Sequence, residues 1–393
     1  MLINGERALA YIVRIDEILP IQNADKIEVA RVGGWQVVVG KDEFKVGDLV
    51  VYIEIDSRVP NDNPHFSFLQ DRKYKVKSIK LRGQVSQGLI MPMSILPEGE
   101  YEDGTDVTKI LGIKKIEEEK PIVNRSREDR LKSAHPSLTK RKWFKRMMRY
   151  KWFRKLAFKF LIPKRKKSGW PAWIIKTDEE RVQNMLWVLQ NKNPMIVTEK
   201  LDGTSTTFSL KKEGRKWKLY VCSRNVVQDT PDKRSYLNDV NGIEGNTYWE
   251  MAKKYDIENV LKWLQYKCGA QDYVTLQGET IGEGIQKNKY NLKGHDIYFF
   301  NLIVDGERYR SDKAKTLLTE YNIQFNNENT DLKWVPIIDT EYILPDTFEE
   351  LMDYATGVSK LRNTLREGYV FRNYEDNLSF KCVSNDFLLK WKE

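Results

Sequence analysis

Apolar residues recur at short, regular spacings in the first part of the chain. Between residues 8 and 56 they form alternating or β-branched runs, broken by turn signals such as "GG" and "VGD": "LAYIVRI", "KIEVARV", "WQVVVG" and "DLVVYIEI". This pattern predicts short antiparallel strands. "KYKVKSIKLRGQVSQGLIMPMSIL" extends it to about Leu96. We therefore interpret residues 1–112 as a small β-barrel, and the OB type, a five-stranded barrel used for nucleic-acid binding, is our first choice.

Residues 170–393 combine helical and strand spacings. "DEERVQNMLWVLQ" predicts one helix, and "TYWEMAKKYDIENVLKWLQYK" predicts one or two more. Strands are predicted at "MIVTEKL", "STTFSLKK", "KLYVCSR", "YVTLQGETI", "DIYFFNLIV", "GYVFR" and "LSFKCV". The predicted fold class is therefore α+β, with an OB-type barrel followed by a catalytic domain of antiparallel sheets flanked by helices.

Residues 113–169 form a predicted linker of charged and polar composition. Five apolar residues recur in it at every fourth position, namely Phe144, Met148, Trp152, Leu156 and Phe160. This spacing predicts one amphipathic helix that ends before Pro163. Three functions fit such a helix: an arm that binds RNA or DNA phosphates, a helix on a membrane surface, and a solvated helix docked on its own protein.

Positive charge is concentrated in the same linker. Residues 140–167 hold 14 Lys and Arg and no Asp or Glu, whereas the whole chain has a net charge of +10. The rest of the chain is therefore net acidic, and the local basicity points to a polyanionic partner. The predicted nucleic-acid contacts are Lys140, Arg141, Lys142, Lys145, Arg146 and Arg149.

Cysteines and apolar runs restrict the class of protein. The three cysteines are far apart, which supports neither a zinc ribbon nor a disulfide framework. No apolar run reaches the roughly 18 residues that cross a membrane. We expect a cytoplasmic protein without stable membrane insertion. The three histidines show no metal-ligand spacing.

A lysine at the end of a predicted strand is the first candidate for chemistry. Lys200 ends "MIVTEK" and is followed by Asp202 and Gly203. Burial of a strand-end lysine lowers its pKa and frees the amine as a nucleophile. A glycine allows a phosphate to approach the backbone closely. A lone lysine before a turn is more often an exposed charge, so the assignment depends on the motifs that follow.

Five further residues stand near strand ends in a fixed order. Arg224 in "SRN" supplies a guanidinium suited to phosphate, and Phe300 in "YFFNLI" offers a ring for base stacking. Glu279 in "LQGETIGEG" and Glu367 in "REGYVFR" provide hard oxygen ligands for Mg²⁺ or Mn²⁺. Lys381 in "LSFKCV" is a cation that would balance phosphate charge. Each alone fits an ordinary role, core packing in the case of Phe300, but the ordered set is hard to explain by accident.

The ordered set resembles the covalent nucleotidyltransferase superfamily of ATP-dependent ligases and capping enzymes. Lys200-Leu201-Asp202-Gly203 is similar to the nucleotide-accepting KxDG motif, and the other motifs follow in the family's order. The resemblance implies an ATP-grasp-like nucleotidyltransferase domain in which Lys200 attacks the α-phosphorus of ATP, forms lysyl-AMP and releases pyrophosphate. It also implies that Glu199 contacts the base, that Phe300 stacks on adenine and that Arg224 contacts the ribose or the RNA end.

Within that superfamily the chain resembles RNA ligase family 5, the nick-sealing RNA ligases with an N-terminal OB domain. The resemblance covers residues 1–112 and 170–393, and it rests on "ADKIEVARVGGWQVVVG", "KLRGQVSQGLIMP" and "WPAWIIKTDEERVQN". It implies ATP with Mg²⁺ or Mn²⁺ as cofactors, and an RNA or RNA/DNA duplex whose nick has a ribonucleotide on its 3′-OH side. The basic linker departs from the pattern, as does Val383, which leaves Lys390 as a candidate for the second lysine of the last motif.

Three alternatives share part of this pattern. A capping guanylyltransferase has the same motifs but carries its OB domain after the catalytic domain, whereas here the barrel comes first. An NAD-dependent ligase needs a nicotinamide-recognition segment and usually cysteine-bound zinc, and the sequence shows neither. A non-catalytic RNA-binding protein would keep the barrel and the basic linker, but we expect it to lose Lys200, Glu279 or Lys381, and all three are present.

Overall fold

The computed structural model describes residues 2–3, 6–116, 131, 135–161, 170–228, 246–325 and 331–391. The chain divides into two compact units, one formed by Met1–Lys115 with Gly169–Glu393 and the other by Ile116–Ser168. Within the described residues, no helix has the length and apolar composition needed to span a bilayer.

The N-terminal barrel is built from short strands. Their bounds are β1 Leu2–Ile3, β2 Glu6–Arg7, β3 Ala10–Arg14, β4 Glu17–Pro20, β5 Ile27–Val32, β6 Trp35–Gly40, β7 Leu49–Ile53, β8 Ser57–Arg58, β9 Lys75–Val76, β10 Ile79–Leu81, β11 Gln84–Ser86, β12 Leu89–Pro92 and β13 Lys114–Lys115. Two 3-10 helices complete it, at Pro64–Arg72 and Met93–Ile95. The four strands predicted between residues 8 and 56 are found as β3, β5, β6 and β7. Alternate residues of β6 are buried, as the period of a half-buried strand requires.

The C-terminal region contains two mainly antiparallel sheets. Their strands are β14 Glu180–Arg181, β15 Met195–Lys200, β16 Thr204–Glu213, β17 Lys216–Ser223, β18 Tyr273–Gly282, β19 His295–Val304, β20 Glu307–Arg308, β21 Lys333–Trp334, β22 Ile337–Tyr342, β23 Gly368–Asn373 and β24 Leu378–Val383. The first sheet has the order β14-β24-β23-β15-β22, and the second has β17-β16-β18-β19-β20, with β21 beside β19. All seven predicted strands are present. The pairs β14/β24 and β19/β21 are parallel.

Helices cover these sheets and also form the second unit. Their bounds are α1 Pro136–Lys140, α2 Lys142–Met147, α3 Lys151–Phe160, α4 Thr247–Lys254, α5 Ile257–Cys268, α6 Ser311–Phe325, α7 Phe348–Ala355 and α8 Asn385–Trp391. Three 3-10 helices lie at Val182–Asn184, Leu186–Gln190 and Gln286–Asn288. The segment predicted as one or two helices after Asn246 is two, α4 and α5, because Asp256 between them has a left-handed conformation with φ 45°.

The helix predicted at "DEERVQNMLWVLQ" is wrong. Glu180 and Arg181 form β14, which pairs with Phe380 and Lys381 of β24, and only two 3-10 turns follow. Tertiary ion pairing explains the difference, because the neighbouring Glu179 carboxylate accepts from Arg372 Nη2 at 2.9 Å. A local helical pattern is a weak preference that such contacts override.

The prediction of one long helix in the basic linker is also wrong. The backbone becomes extended at Arg141 and again at Tyr150, so that α1, α2 and α3 are separate. Phe144 packs in a small core with Leu131 and Ala157, which the breaks make possible. Trp152, Leu156 and Phe160, which the prediction placed in one row with Phe144, are exposed on α3. Pro163 lies outside the described residues.

The chain crosses from the first sheet to the second at the KLDG turn. β15 ends at Lys200 in the first sheet, and β16 begins at Thr204 in the second. Gly203 permits the crossing, because a Cβ at this position would lie 2.3 Å from the carbonyl oxygen of Thr280 in β18. No side chain fits there without moving the backbone. The turn therefore lies directly against the second sheet.

Candidate active site

Lys200 lies at the end of β15 beside the start of β23. Lys200 pairs with Gly368, and its Nζ donates to Glu367 Oε2 at 2.7 Å. The Glu367 side chain is 5% exposed, whereas the Lys200 side chain is 25% exposed. The nucleophile candidate is thus held by a buried carboxylate and remains open to a ligand.

Glu279 approaches the same lysine from the second sheet. Its Oε1 accepts from the backbone N–H of Gly203 at 2.9 Å. This contact fixes the carboxylate against the turn that follows Lys200. The carboxylates of Glu279, in the second sheet, and Glu367, next to β23 of the first, therefore both attract the Lys200 ammonium.

Lys381 lies on the same face of the first sheet as Lys200. Thr198, Val370, Lys381 and Arg181 form one cross-strand row, and Lys200 is two residues from Thr198. Side chains two residues apart in a strand share a face. Among the described residues, no hydrogen bond or ion pair is found for the Lys381 ammonium. The strand register therefore places a second cation on the Lys200 face.

The two lysines have opposite electrostatic shifts. Burial opposes the charge of Lys200 most strongly, but the attractions of Glu367 and Glu279 outweigh it and raise the pKa of Lys200. The lowered pKa predicted for Lys200 is therefore wrong for the chain without ligands. Burial, with repulsion from Lys200 and Arg181, lowers the pKa of Lys381 to about 8.

Glu279 is the carboxyl group with the largest shift in the site. Burial is the main cause, and Glu367 adds to it, while Lys200 opposes both; the result raises the pKa of Glu279 to about 7. Two buried carboxylates that repel each other are suited to a cation between them. Carboxylate oxygens are the ligands that Mg²⁺ and Mn²⁺ prefer. Among the described residues, no group of three or more His, Cys, Asp or Glu that could hold a metal ion is found.

Glu199 and Phe300, the two residues predicted to contact the base, differ in burial. Glu199 Oε2 accepts from the backbone N–H of Lys360 at 2.8 Å. Glu199 Oε1 is buried without a partner among the described residues, and burial raises the pKa of this carboxyl. In β19, Phe299 enters the core, whereas Phe300 stays partly exposed. A partly exposed ring and an unsatisfied buried acceptor are the kinds of group that bind a planar base with an amino group.

Asp202 and Arg224 are both held by ion pairs. Asp202 Oδ2 pairs with Lys289, and the Asp202 N–H donates to the Tyr290 hydroxyl at 2.9 Å. Arg224 pairs with Asp178. Burial opposes the charge of Asp178, but Arg224 and Lys381 lower its pKa.

Sequence reasoning missed several charged residues around the site. Asp178, Arg181 and Lys289 carry no recognisable spacing, and the pattern of "DEERVQNMLWVLQ" predicts a helix instead. Arg181 lies opposite Lys381 in the sheet, and its guanidinium is 5.9 Å from the ring of Trp35 in the barrel. Its Nη1 is buried without a partner among the described residues. The pairing of β14 with β24 is what places Arg181 next to Lys381.

The predicted contacts in the basic linker belong to the second unit. Lys140, Arg141, Lys142, Lys145, Arg146 and Arg149 are all exposed there. Lys390, the candidate second lysine of the last motif, is exposed on α8 beside the ring of Trp391. The nucleotide-binding motifs from Lys200 to Lys381 all belong to the first unit.

A barrel of the OB type before a two-sheet domain, with a lysine between carboxylates, defines the class of nucleotide-dependent ligases. An OB-fold domain family matches residues 9–93, and the RNA ligase family matches residues 193–392. The chain belongs to the RNA ligase family, and it is an ATP-dependent ligase of the nucleotidyltransferase type. The predicted family and the predicted α+β fold class are confirmed.

Solved structures of Naegleria gruberi RNA ligase are similar over nearly the whole chain. The structure with pyrophosphate has 32% identity and a TM-score of 0.68, and covers 98% of this chain and 99% of that one. A mutant form with AMP and Mn has 32% identity and a TM-score of 0.69 over the same shares. A mutant form with ATP and Mn has 32% identity and a TM-score of 0.68, and covers 97% and 98%. These complexes confirm the predicted cofactors, ATP and a divalent metal. No curated protein matches the chain significantly.

Proposed function

We propose that this ligase joins RNA ends through a lysyl-AMP intermediate on Lys200. The observation that carries the proposal is the position of the Lys200 amine, 2.7 Å from Glu367 and under the influence of Glu279, with Lys381 on the same sheet face. An amine that is partly exposed, flanked by carboxylates and opposed by a second cation suits attack on a phosphate ester.

In the first step the Lys200 amine attacks the α-phosphorus of ATP. The N–P bond forms, the α–β P–O bond breaks, and pyrophosphate leaves. Lys200 must lose a proton first, and Glu367 Oε2, which already accepts from this amine, is the nearest acceptor described. The ammonium of Lys381 balances the charge that spreads over the phosphate oxygens.

Glu279 and Glu367 are the proposed metal ligands. Their oxygens suit a divalent cation, which when bound neutralises phosphate charge and competes with the ammonium for the same carboxylates. The raised pKa of Glu279, about 7, supports this assignment, because it marks a buried carboxylate whose charge lacks full compensation.

The remaining site residues are proposed to hold the nucleotide. Glu199 Oε1 would accept from the exocyclic amine of adenine, and Phe300 would stack on the ring. The N–H of Gly203, which donates to Glu279, and the carboxylate of Asp202, which pairs with Lys289, fix the turn after Lys200. Arg224 would contact the ribose or the RNA end, which requires exchange of its partner Asp178.

The later steps follow the family pattern. A 5′-phosphate oxygen attacks the AMP phosphorus and breaks the N–P bond; a 3′-OH then attacks the activated 5′-phosphate and releases AMP. We propose a nick in RNA or RNA/DNA duplex, with a ribonucleotide on the 3′-OH side, as the substrate, because the 2′-OH is the group that distinguishes RNA from DNA. The proposed division is an OB domain at 1–112, a linker at 113–169 and a ligase domain at 170–393, in a cytoplasmic enzyme.

The basic linker is proposed to contact RNA phosphates through Lys140, Arg141, Lys142, Lys145, Arg146 and Arg149. Their exposure and the absence of acidic residues from 140–167 support this role. Deletion of 140–167 should weaken nick binding and lower its salt dependence, by about one unit of slope per lost contact, and leave adenylylation intact. A charge-reversed set at these six positions is the matched variant. An unchanged salt slope would contradict this role.

The experiment that tests the lysyl-AMP step is label transfer from α-labelled ATP to the protein. We expect label with Mg²⁺ or Mn²⁺, none with Lys200→Ala, and none from GTP. Label from GTP alone would favour a capping enzyme, and absence of label from folded, unadenylylated protein would contradict the proposal. Nicked duplexes with 3′-ribose or 3′-deoxyribose ends then test substrate choice.

A further inference from the structure

A buried lysine outside the catalytic motifs is paired with the aspartate of the KLDG turn. The side chain of Lys289 is 4% exposed, and its Nζ pairs with Asp202 Oδ2. The same ammonium lies 4.6 Å from the ring of Phe387 and 5.7 Å from that of Trp391, both in α8. Aromatic faces attract a cation, so two rings and one carboxylate enclose this charge.

The loop that carries Lys289 has an unusual backbone. Gln286, Lys287, Asn288 and Asn291 all have positive φ, between 46° and 61°, and none is glycine. Residues with a side chain rarely adopt this conformation, so the surroundings must impose the loop shape. The Asn288 side chain both donates to and accepts from Leu292, and the next residue after Lys289, Tyr290, contacts the Asp202 N–H.

The helix that closes this enclosure is also attached to the N-terminal barrel. Val85 of β11 packs with Val383 and Leu388, and Lys80 Nζ donates to the carbonyl oxygen of Leu389 at 3.4 Å. α8 is therefore in contact with the barrel through one side and with Lys289 through the other.

We propose that Lys289 is a positioning residue for nucleotide transfer at Lys200. Its ion pair holds the turn that carries Asp202 and Gly203, and the rings of α8 hold the ammonium in place. Because Gly203 donates to Glu279, displacement of this turn moves a proposed metal ligand as well as the nucleophile. The docking of the barrel against α8 thereby stabilises the geometry of the site. The inference rests on the lysyl-AMP step proposed above.

The test compares Lys289→Met with Lys293→Met, an exposed lysine four residues further along. We expect Lys289→Met to reduce the maximal rate of label transfer about tenfold to a hundredfold, with the half-saturating ATP concentration nearly unchanged. Lys289→Arg should recover most of the rate because it keeps the charge. Lys293→Met should react as the wild type does.

A double-variant cycle separates positioning from general stability. Lys289→Met leaves the buried Asp202 carboxylate unpaired and risks misfolding, whereas Asp202→Asn/Lys289→Met removes both charges. We expect this double variant to transfer label at the rate of Asp202→Asn alone, since coupled residues are not additive. An equal fold loss in both backgrounds, a loss confined to ATP affinity, or wild-type rates for Lys289→Met would overturn the inference. If the wild type itself takes no label, the proposed function fails instead.

Discussion

β15 and β24 place two lysines, Lys200 and Lys381, on one face of one sheet, yet the pKa values of these lysines shift in opposite directions. Burial disfavours both ammonium groups. Lys200 has Glu367 and Glu279 beside it, and its pKa is raised. Lys381 faces Lys200 and Arg181 instead, and its pKa falls to about 8. The difference shows that the position of carboxylates, rather than burial, decides which lysine keeps its proton most firmly.

This comparison fits two different tasks. Lys200 must become neutral to act as a nucleophile, and its carboxylate partners are the proposed metal ligands, so that ligand binding changes its protonation. Lys381 must stay cationic near phosphate, and an incoming polyanion would raise its pKa again. In the proposed mechanism, we therefore expect binding of the nucleotide and metal to favour a neutral Lys200 and a charged Lys381.

The sharpest test makes the same substitution at both positions. Lys200→Arg keeps the charge near Glu367 but cannot lose its proton, so we expect lysyl-AMP formation to fall at least about a thousandfold. Lys381→Arg keeps the cation that the second position requires, and we expect a loss within about tenfold. Single-turnover label transfer measures both.

Lys293→Arg, at an exposed position, is the control for this pair and should be silent. Equal losses at Lys200 and Lys381 would show that the two lysines do not differ in task. Full activity of Lys200→Arg would contradict the nucleophile assignment.

A second test removes the main attraction that raises the pKa of Lys200. In Glu367→Gln, burial is opposed by Glu279 alone, so we expect the Lys200 amine to titrate at lower pH than in the wild type. The pH dependence of amine modification at Lys200, followed by peptide mass spectrometry without ATP or metal, measures this shift. Glu375→Gln, at an exposed turn, should leave the titration unchanged. An unchanged or higher midpoint in Glu367→Gln would contradict the comparison.

The smallest expected effect is on stability. The folded-state pKa of Lys381, about 8, lies below its ordinary value of 10.5. The cost of its charge is therefore fully present below pH 8 and disappears as the pH rises through 10.5. We expect Lys381→Met to raise the free energy of unfolding at pH 7 by on the order of 2 kcal/mol and to show less gain at pH 10. Thermal unfolding at both pH values measures this, and a destabilised variant at pH 7 would contradict it.

Much of the fold and site followed from local patterns. The strands around Lys200, Glu279 and Lys381 alternate strongly enough to be predicted, and their motifs are short and contiguous. The order of the motifs carried the family resemblance, which the comparisons confirm. Side-chain roles within the site stay predictions until the experiments above are made.

What the sequence did not reveal depends on contacts between distant residues. Asp202 contacts Lys289, which is 87 positions away in the sequence, and Glu179 contacts Arg372, which is 193 positions away. The pKa of Lys200 was predicted with the wrong sign because burial was considered without its two carboxylate neighbours. The helix predicted over "DEERVQNMLWVLQ" is wrong for the same reason, because Glu179 pairs with Arg372 and Arg181 lies opposite Lys381 in the sheet.

The parallel pairing of β14 with β24 has a consequence for how the enzyme is made. Arg181 and Lys381 are neighbours in the sheet but are synthesised 200 residues apart. At the usual rate of translation, the ribosome adds Lys381 roughly 10 to 40 s after Arg181. For most of this interval the emerging chain has its barrel and Lys200 but not yet Glu367, and the second cation comes 14 residues after Glu367. Under the mechanism proposed above, we therefore expect a partly synthesised copy to form no lysyl-AMP until β24 has joined the sheet.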